Sequence, residues 1–425
     1  MLLLASFLLV GGFQILYPFY TFNIGGFLIF PLDFVYFLMI LKIGRYALIH
    51  PRSMAKLIRQ NFFLMAFLAM VALYVILYTP IYGQSAIGEA RKFYFFFLFP
   101  LLALISIKSP EDLRRLFLIL VIVAFSIALV ALYRLGMQGT ILRLLNGEAT
   151  LTLALVAFAM LVHRIHKTVI VTPLLDTALL LLFSVIVLGS GQRSCWLAVG
   201  FGLMLTLWLY RYRAILLSKM VALGLVGLMG GTVAMIMFPE ARSKLEEKFS
   251  GIVDPYADEN ASWRIQGWEA QLAQVKENLF FGEGIGNYYS WKFRGEDNKQ
   301  YNPHNAYVQM TVKFGLFGLI LYSLVAIQFF RKTLRVRRKL KPGPMKAYIE
   351  LSLVTFGATH AYMLGYGLHP FALVFFGVGI CTASLSQQAL RRSQESRIPP
   401  FPEHVKAPPR RFRPYRRSEA RPLYS

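Results

Sequence analysis

The chain has 425 residues, 56% of them hydrophobic and only 16% charged, against about a quarter charged in soluble domains. Its mean hydropathy is +0.53, which excludes a soluble globular fold; the net charge of +24 must then be read from where the charges lie. Cys195 and Cys381 both fall in apolar stretches, so neither a disulfide framework nor a metal site is expected.

In chain order, the first stretch (MLLLASFLLVGG) lacks a basic leader region and reads as a retained first span, not a cleaved signal. About twelve segments approach the ~20 apolar residues that cross a bilayer. They lie near 3–20, 25–43, 61–79, 93–107, 115–133, 150–163, 169–188, 194–210, 216–238, 306–330, 347–366 and 370–388. The fold class is therefore all-α, a polytopic membrane protein. The segments at 93–107 and 150–163 are short enough to be tilted or partly re-entrant.

Alternate connections collect the basic residues: Lys42 to Arg59, Lys108 to Arg115, Arg164 and Lys167, Arg211 to Lys219, and Arg331 to Lys346. By the positive-inside rule both termini are cytoplasmic. The charge is a topology signal and calls for no nucleic acid. The tail 391–425 mixes Arg with Pro and is expected to be disordered and cytoplasmic. Its basic residues would attract anionic membrane lipids.

Residues 239–305 form one long external connection holding more than half of the acidic residues. Asn260 or Ser262 can cap a helix there that runs to about Asn278. Ile265, Trp268, Leu272, Val275 and Leu279 repeat at helical steps and predict its apolar face. Gly282-Glu283-Gly284-Ile285-Gly286-Asn287 looks like a dinucleotide fingerprint, but no strand precedes it, so it reads as a flexible glycine turn. Asp254 and Asp258 flank Pro255, a poor start for a metal cage. No metal and no cofactor is expected.

Three residues on the external side could carry chemistry. Arg193, in Gly189-Ser190-Gly191-Gln192-Arg193-Ser194-Cys195-Trp196, sits in a turn too short to leave the interface. Its guanidinium either snorkels to lipid headgroups or serves as a fork for an oxyanion. Arg264 is either a solvated helix charge or a second such cation. His304, in Pro303-His304-Asn305-Ala306-Tyr307, stands where polar sequence gives way to an apolar helix. It is either an interfacial histidine or a proton acceptor near neutral pH. Arg91 and Lys92 could bind phosphate or anchor their helix. His360 and His369 are the other histidines near the last spans; His369, before Pro370, could line the same cavity, although a helix-end role suits it better. Two permanent cations and one base suit one chemistry in particular. The cations would offset charge on a lipid diphosphate leaving group, and the base would take the proton of an acceptor sugar hydroxyl. A flippase or other transporter would also need cations, but it predicts internal symmetry that this chain lacks. A scaffold working through the basic tail would depend on that tail.

These segments resemble the O-antigen ligase and O-antigen polymerase superfamily of bacterial envelope glycosyltransferases. The likeness rests on Gly189 to Trp196, on Trp263 to Gly286 and on Pro303 to Gly318. It covers roughly residues 170–330, while the first 150 match in hydropathy alone. It implies a GT-C-like helical membrane fold in the bacterial inner membrane with a periplasmic active site. It also implies metal-independent transfer of a glycan from an undecaprenyl diphosphate carrier, with inversion. Carried over by residue, Arg193 and Arg264 match the diphosphate-contacting arginines and His304 the base. Ser190, Trp268, Asn305 and Tyr307, in the same segments, are candidate supporting residues. Gln192 stands where the family commonly has Ser, so it is assigned no role. The acceptor is lipid A-core for a ligase, or a second lipid-linked glycan for a polymerase. The single external loop favours the ligase.

Overall fold

The computed structural model describes residues 1–16, 21–24, 27–138, 144–210, 254, 256, 258–300, 303–367 and 372–395. The expected span at 216–238, His369 and residues 396–425 lie outside them. Met1–Ser386 form one compact unit, and a second unit begins at Gln387.

The fold is built from helices in chain order: α1 (Leu2–Leu16), α2 (Pro31–Ile49), α3 (Pro51–Gln60), α4 (Phe62–Tyr82), α5 (Gln84–Ser106), α6 (Pro110–Gln138), α7 (Gly147–Ile165), α8 (Pro173–Gly189) and α9 (Arg193–Tyr210). After these come α10 (Glu259–Gln274), α11 (Ala306–Arg337), α12 (Pro344–Met363) and α13 (Ala372–Glu395). Among the described residues, five of these, α4, α6, α7, α9 and α11, are long and apolar enough to cross a membrane, and α1 and α8 are shorter apolar helices. Large side chains such as Phe34, Phe37, Leu38, Ile40 and Leu41 of α2 stay exposed, as suits a surface solvated by hydrocarbon.

Several boundaries move for local reasons. Two short antiparallel hairpins interrupt the all-helical expectation. In the first, β1 (Phe22–Ile24) pairs with β2 (Phe27–Ile29). The helix expected from residue 25 therefore starts at Pro31, where proline supplies a preset first turn and Asp33 Oδ2 accepts from Phe30 N at 2.8 Å. The segments at 93–107 and 150–163 belong to helices longer than expected. α5 begins nine residues earlier, and α7 is a 19-residue helix buried along nearly all its length. Its Asn146 cap accepts from Ala149 N at 2.8 Å. α3 is an extra amphipathic helix between α2 and α4, exposed on its charged face.

Small residues set the closest approaches, as in many membrane bundles. A Cβ at Gly357 of α12 would lie 2.2 Å from Leu205 of α9, and one at Gly202 would lie 2.5 Å from Phe158 of α7. At one end of the bundle Glu350, fully buried, ties four helix ends together. It meets His166 at 2.6 Å and Arg337 at 2.7 Å, and accepts from the Tyr210 hydroxyl. The opposite end carries α10 and the second hairpin.

α11 is broken at Gly315, whose φ of 66° and ψ of −169° are not helical. A Cβ there would fall 2.1 Å from the Phe280 carbonyl oxygen, so only glycine fits. The chain between α10 and the hairpin fills the gap. Glu283 N donates to Val312 O (2.8 Å), Gly284 N to Lys313 O (3.1 Å), Leu316 N to Leu279 O (2.9 Å) and Phe317 N to Phe280 O (3.1 Å). Gly282, Gly284 and Gly286 all have positive φ. They press against Gly315, Tyr78 and Ala86 respectively, with no room for a Cβ. The glycine segment is thus a packed joint and not a flexible turn.

Candidate functional site

The site is assembled from four chain segments. The first is the turn between α8 and α9. α8 ends at Gly189 and Ser190 caps it, its hydroxyl donating to Val187 O at 2.8 Å. Ser190 is buried and held in the backbone turn. Gly191 takes φ 66°, and α9 restarts at Arg193. The Gln192 amide donates to Leu145 O at 2.6 Å, which pins this turn to the start of α7.

The second segment is α10. Its cap is Asp258, not Asn260 or Ser262: the Asp258 carboxylate accepts from Ala261 N at 2.7 Å. The helix ends at Gln274 and passes into a short 3-10 turn at 276–278. Its packing face also differs from the expected stripe. Ser262, Gly267 and Gln271 are buried; of the expected stripe Val275, just past the helix, is buried, Ile265 and Trp268 are half-buried, and Leu272 and Leu279 are exposed. Gly267 turns inward because β3 (Tyr289–Phe293) crosses there, with Trp291 lying 3.0 Å from any Cβ at 267. β3 pairs with β4 (Glu296–Gln300).

The third segment is the turn at 303–305. Trp268 donates its indole N–H to the Pro303 carbonyl and so fastens α10 to this turn. His304 has φ 51°, left-handed backbone that non-glycine residues adopt at a cost. Its ring stands 6.1 Å from that of Trp263 and 5.6 Å from that of Tyr366. Asn305 is the α11 cap and accepts from Tyr307 N (3.0 Å) and Val308 N (3.2 Å). Tyr307 donates to the His360 carbonyl at 3.2 Å.

The fourth segment, at the end of α12, supplies Tyr362 and Tyr366. Ala306 N donates to Tyr366 O at 3.0 Å. Arg264 Nη1 donates to Gly365 O at 3.0 Å, and its guanidinium carbon lies 6.0 Å from the centre of the Tyr366 ring.

Arg193, Arg264 and His304 therefore share one neighbourhood, linked through Asp258 and Tyr366. Arg193 and Asp258 form an ion pair, and Arg264 acts on both electrostatically. Burial would raise the Asp258 pKa, but its hydrogen bonds with Arg193 and Ala261 N outweigh that and hold it below the ordinary carboxylate value. Burial lowers the Arg264 pKa, with Tyr366 opposing. Any side chain at Gly147 would strike the Tyr362 hydroxyl at 2.7 Å and Gln192 Oε1 at 2.8 Å. Gln192 thus belongs to the wall of the site.

Other candidates lie elsewhere or are otherwise engaged. Arg91 pairs with Asp33 at 3.1 Å and sits 4.9 Å over Phe30, joining α5 to α2. His360 is inside α12, bonded to Phe356 O (2.7 Å) and the Tyr322 hydroxyl (3.1 Å). Among the described residues no three His, Cys, Asp or Glu side chains converge. Sequence reading missed Asp258, Tyr362 and Tyr366 as site residues. Tyr362 lies on α12 and Tyr366 in the turn that follows it, their rings 5.0 Å apart, so no helical step in the sequence places the second beside the first.

Residues 178–323 match the family model described as O-antigen ligase. The chain carries an O-antigen ligase family domain. No curated protein matches the chain. The family domain spans α8, α9, α10, the second hairpin and the first half of α11, so it contains Ser190, Arg193, Arg264, Trp268, His304, Asn305 and Tyr307. Tyr362 and Tyr366 close the same site from beyond its boundary.

Proposed function

We infer that the protein is an O-antigen ligase-type glycosyltransferase. It moves a glycan from undecaprenyl diphosphate to lipid A-core on the periplasmic face of the bacterial inner membrane. The observation that carries this reading is the grouping of two arginines and one histidine around Asp258 and Tyr366, inside the O-antigen ligase family domain. Its spans form a GT-C-type arrangement with both termini cytoplasmic.

The step follows from the side chains. His304 accepts the proton of the acceptor hydroxyl. That oxygen bonds to the anomeric carbon from the face opposite the diphosphate, and the bond to the diphosphate oxygen breaks. The configuration inverts, and the lipid diphosphate leaves with its charge offset by Arg193 and Arg264. The chain's own cations supply the charge that a metal would otherwise bring. Trp268 and Asn305 hold the 303–305 turn in place, and Tyr307 and Ser190 fix the helix ends beside it.

The test is a reaction of purified protein in nanodiscs with a polyprenyl diphosphate glycan, either with lipid A-core or alone, without added metal. Glycan on the core marks a ligase. Lengthened donor without core attachment makes it a polymerase, and no product in either reaction rejects the assignment. Arg193→Lys keeps the charge but loses the fork, and transfer is expected to fall about 10- to 100-fold, the worth of one hydrogen bond to a charged group. Full transfer by that variant would remove the fork from the mechanism.

A further inference from the structure

Asp258 has two partners at once. One carboxylate oxygen caps α10 through Ala261 N at 2.7 Å, and the other pairs with Arg193. The carboxylate is 11% exposed and the Arg193 side chain 30%. Arg264 lies within electrostatic reach of the same carboxylate. A protein carboxylate thus stands where an incoming oxyanion would meet Arg193.

We propose that Asp258 is an internal competitor for the anion site. It holds Arg193 while the site is empty, yields it to a diphosphate oxygen when donor binds, and takes it back as the lipid diphosphate leaves. This rests on the reading that Arg193 and Arg264 bind a diphosphate.

Two physical arguments support the exchange. A half-buried guanidinium without a counter-charge is unfavourable, so an empty site needs an anion of its own. The product presents a harder problem than the substrate. Once the sugar has left, the freed end of the diphosphate gains charge, and a site with two uncompensated arginines would hold the product more tightly than the donor. A returning carboxylate shortens that stay. The geometry suits this role because the two oxygens have separate partners: the exchange releases one while the other keeps α10 capped.

Asp258→Asn isolates the charge, since asparagine caps helices as well as aspartate does. Full-length wild type and variant in nanodiscs would be titrated with inorganic pyrophosphate and with undecaprenyl diphosphate, and their transfer followed from the first turnover. The variant is expected to bind both diphosphates about fivefold more tightly, the scale of a partly exposed ion pair. Its donor KM and its kcat should fall together, with a burst of first-turnover product before a slow steady rate. Equal or weaker diphosphate binding by the variant, with binding by wild type intact, would overturn the competition and leave the proposed function standing. If neither protein binds either diphosphate, the anion site itself is wrong and both readings fall.

Discussion

Replacing His304 with alanine is expected to lower glycan transfer by about 10²–10⁴-fold, the usual contribution of a positioned general base. The loss should appear in kcat, with diphosphate binding retained, because Arg193 and Arg264 stand on other elements. A second substitution separates chemistry from folding. At φ 51° a Cβ is strained, so His304→Gly should be as inactive as the alanine variant but unfold at a higher temperature. Such a pair of results matches the known conflict between stability and activity at strained catalytic positions. Transfer at the wild-type rate by His304→Ala would eliminate the base.

The largest expected effect on stability is at Lys313. Its ammonium is fully buried and pairs with Glu89 at 2.9 Å, and it also donates to the Asn287 carbonyl. Glu89 in turn accepts from Gly286 N at 2.7 Å. This cluster joins α5, the glycine segment and α11 beside the break at Gly315. Lys313→Met leaves a carboxylate inside the bundle without its cation and should cost about 3–5 kcal/mol. Adding Glu89→Gln removes the stranded charge, so the double variant should be more stable than Lys313→Met alone. Thermal unfolding in detergent measures both. Losses that simply add would mean that the two side chains do not depend on each other.

The helices were legible because their signal is long: an apolar run bounded by basic clusters survives a shift of several residues. The hairpins were not. β4 reads Glu296-Asp297-Asn298-Lys299-Gln300, a strand with no β-branched residue and no apolar alternation. It is held by its pairing and by the Arg294-Gly295 turn, both residues of which have positive φ. The α10 face was misjudged for a related reason. Periodicity finds apolar residues and does reach the buried Val275, but within α10 the buried contacts are Ser262, Gly267 and Gln271, the glycine because a tryptophan crosses it, and Leu272 is exposed. Arg193 and His304 could be singled out as candidates because a cation in a short interfacial turn and a histidine at a polar-to-apolar border are unusual, whereas Arg264 reads equally as a solvated helix charge. Asp258 could not be placed beside Arg193, since 64 residues intervene and no local pattern encodes the pairing. Its capping role was within reach, yet Asn260 and Ser262 offered equally good chemistry two and four residues on.

The break at Gly315 also changes what the helix is as a folding unit. Four of the backbone bonds around it cross to residues 279–284, so this span cannot complete its own ladder. An ordinary membrane helix can insert and persist alone. This one reaches its final state only when a stretch made some thirty residues earlier docks against it. The amides of Leu316 and Phe317 therefore report on the loop: their hydrogen exchange should slow when the loop is seated and quicken when it lifts. A local measurement inside this long apolar helix would read the state of the segment that follows α10, the helix that carries Arg264.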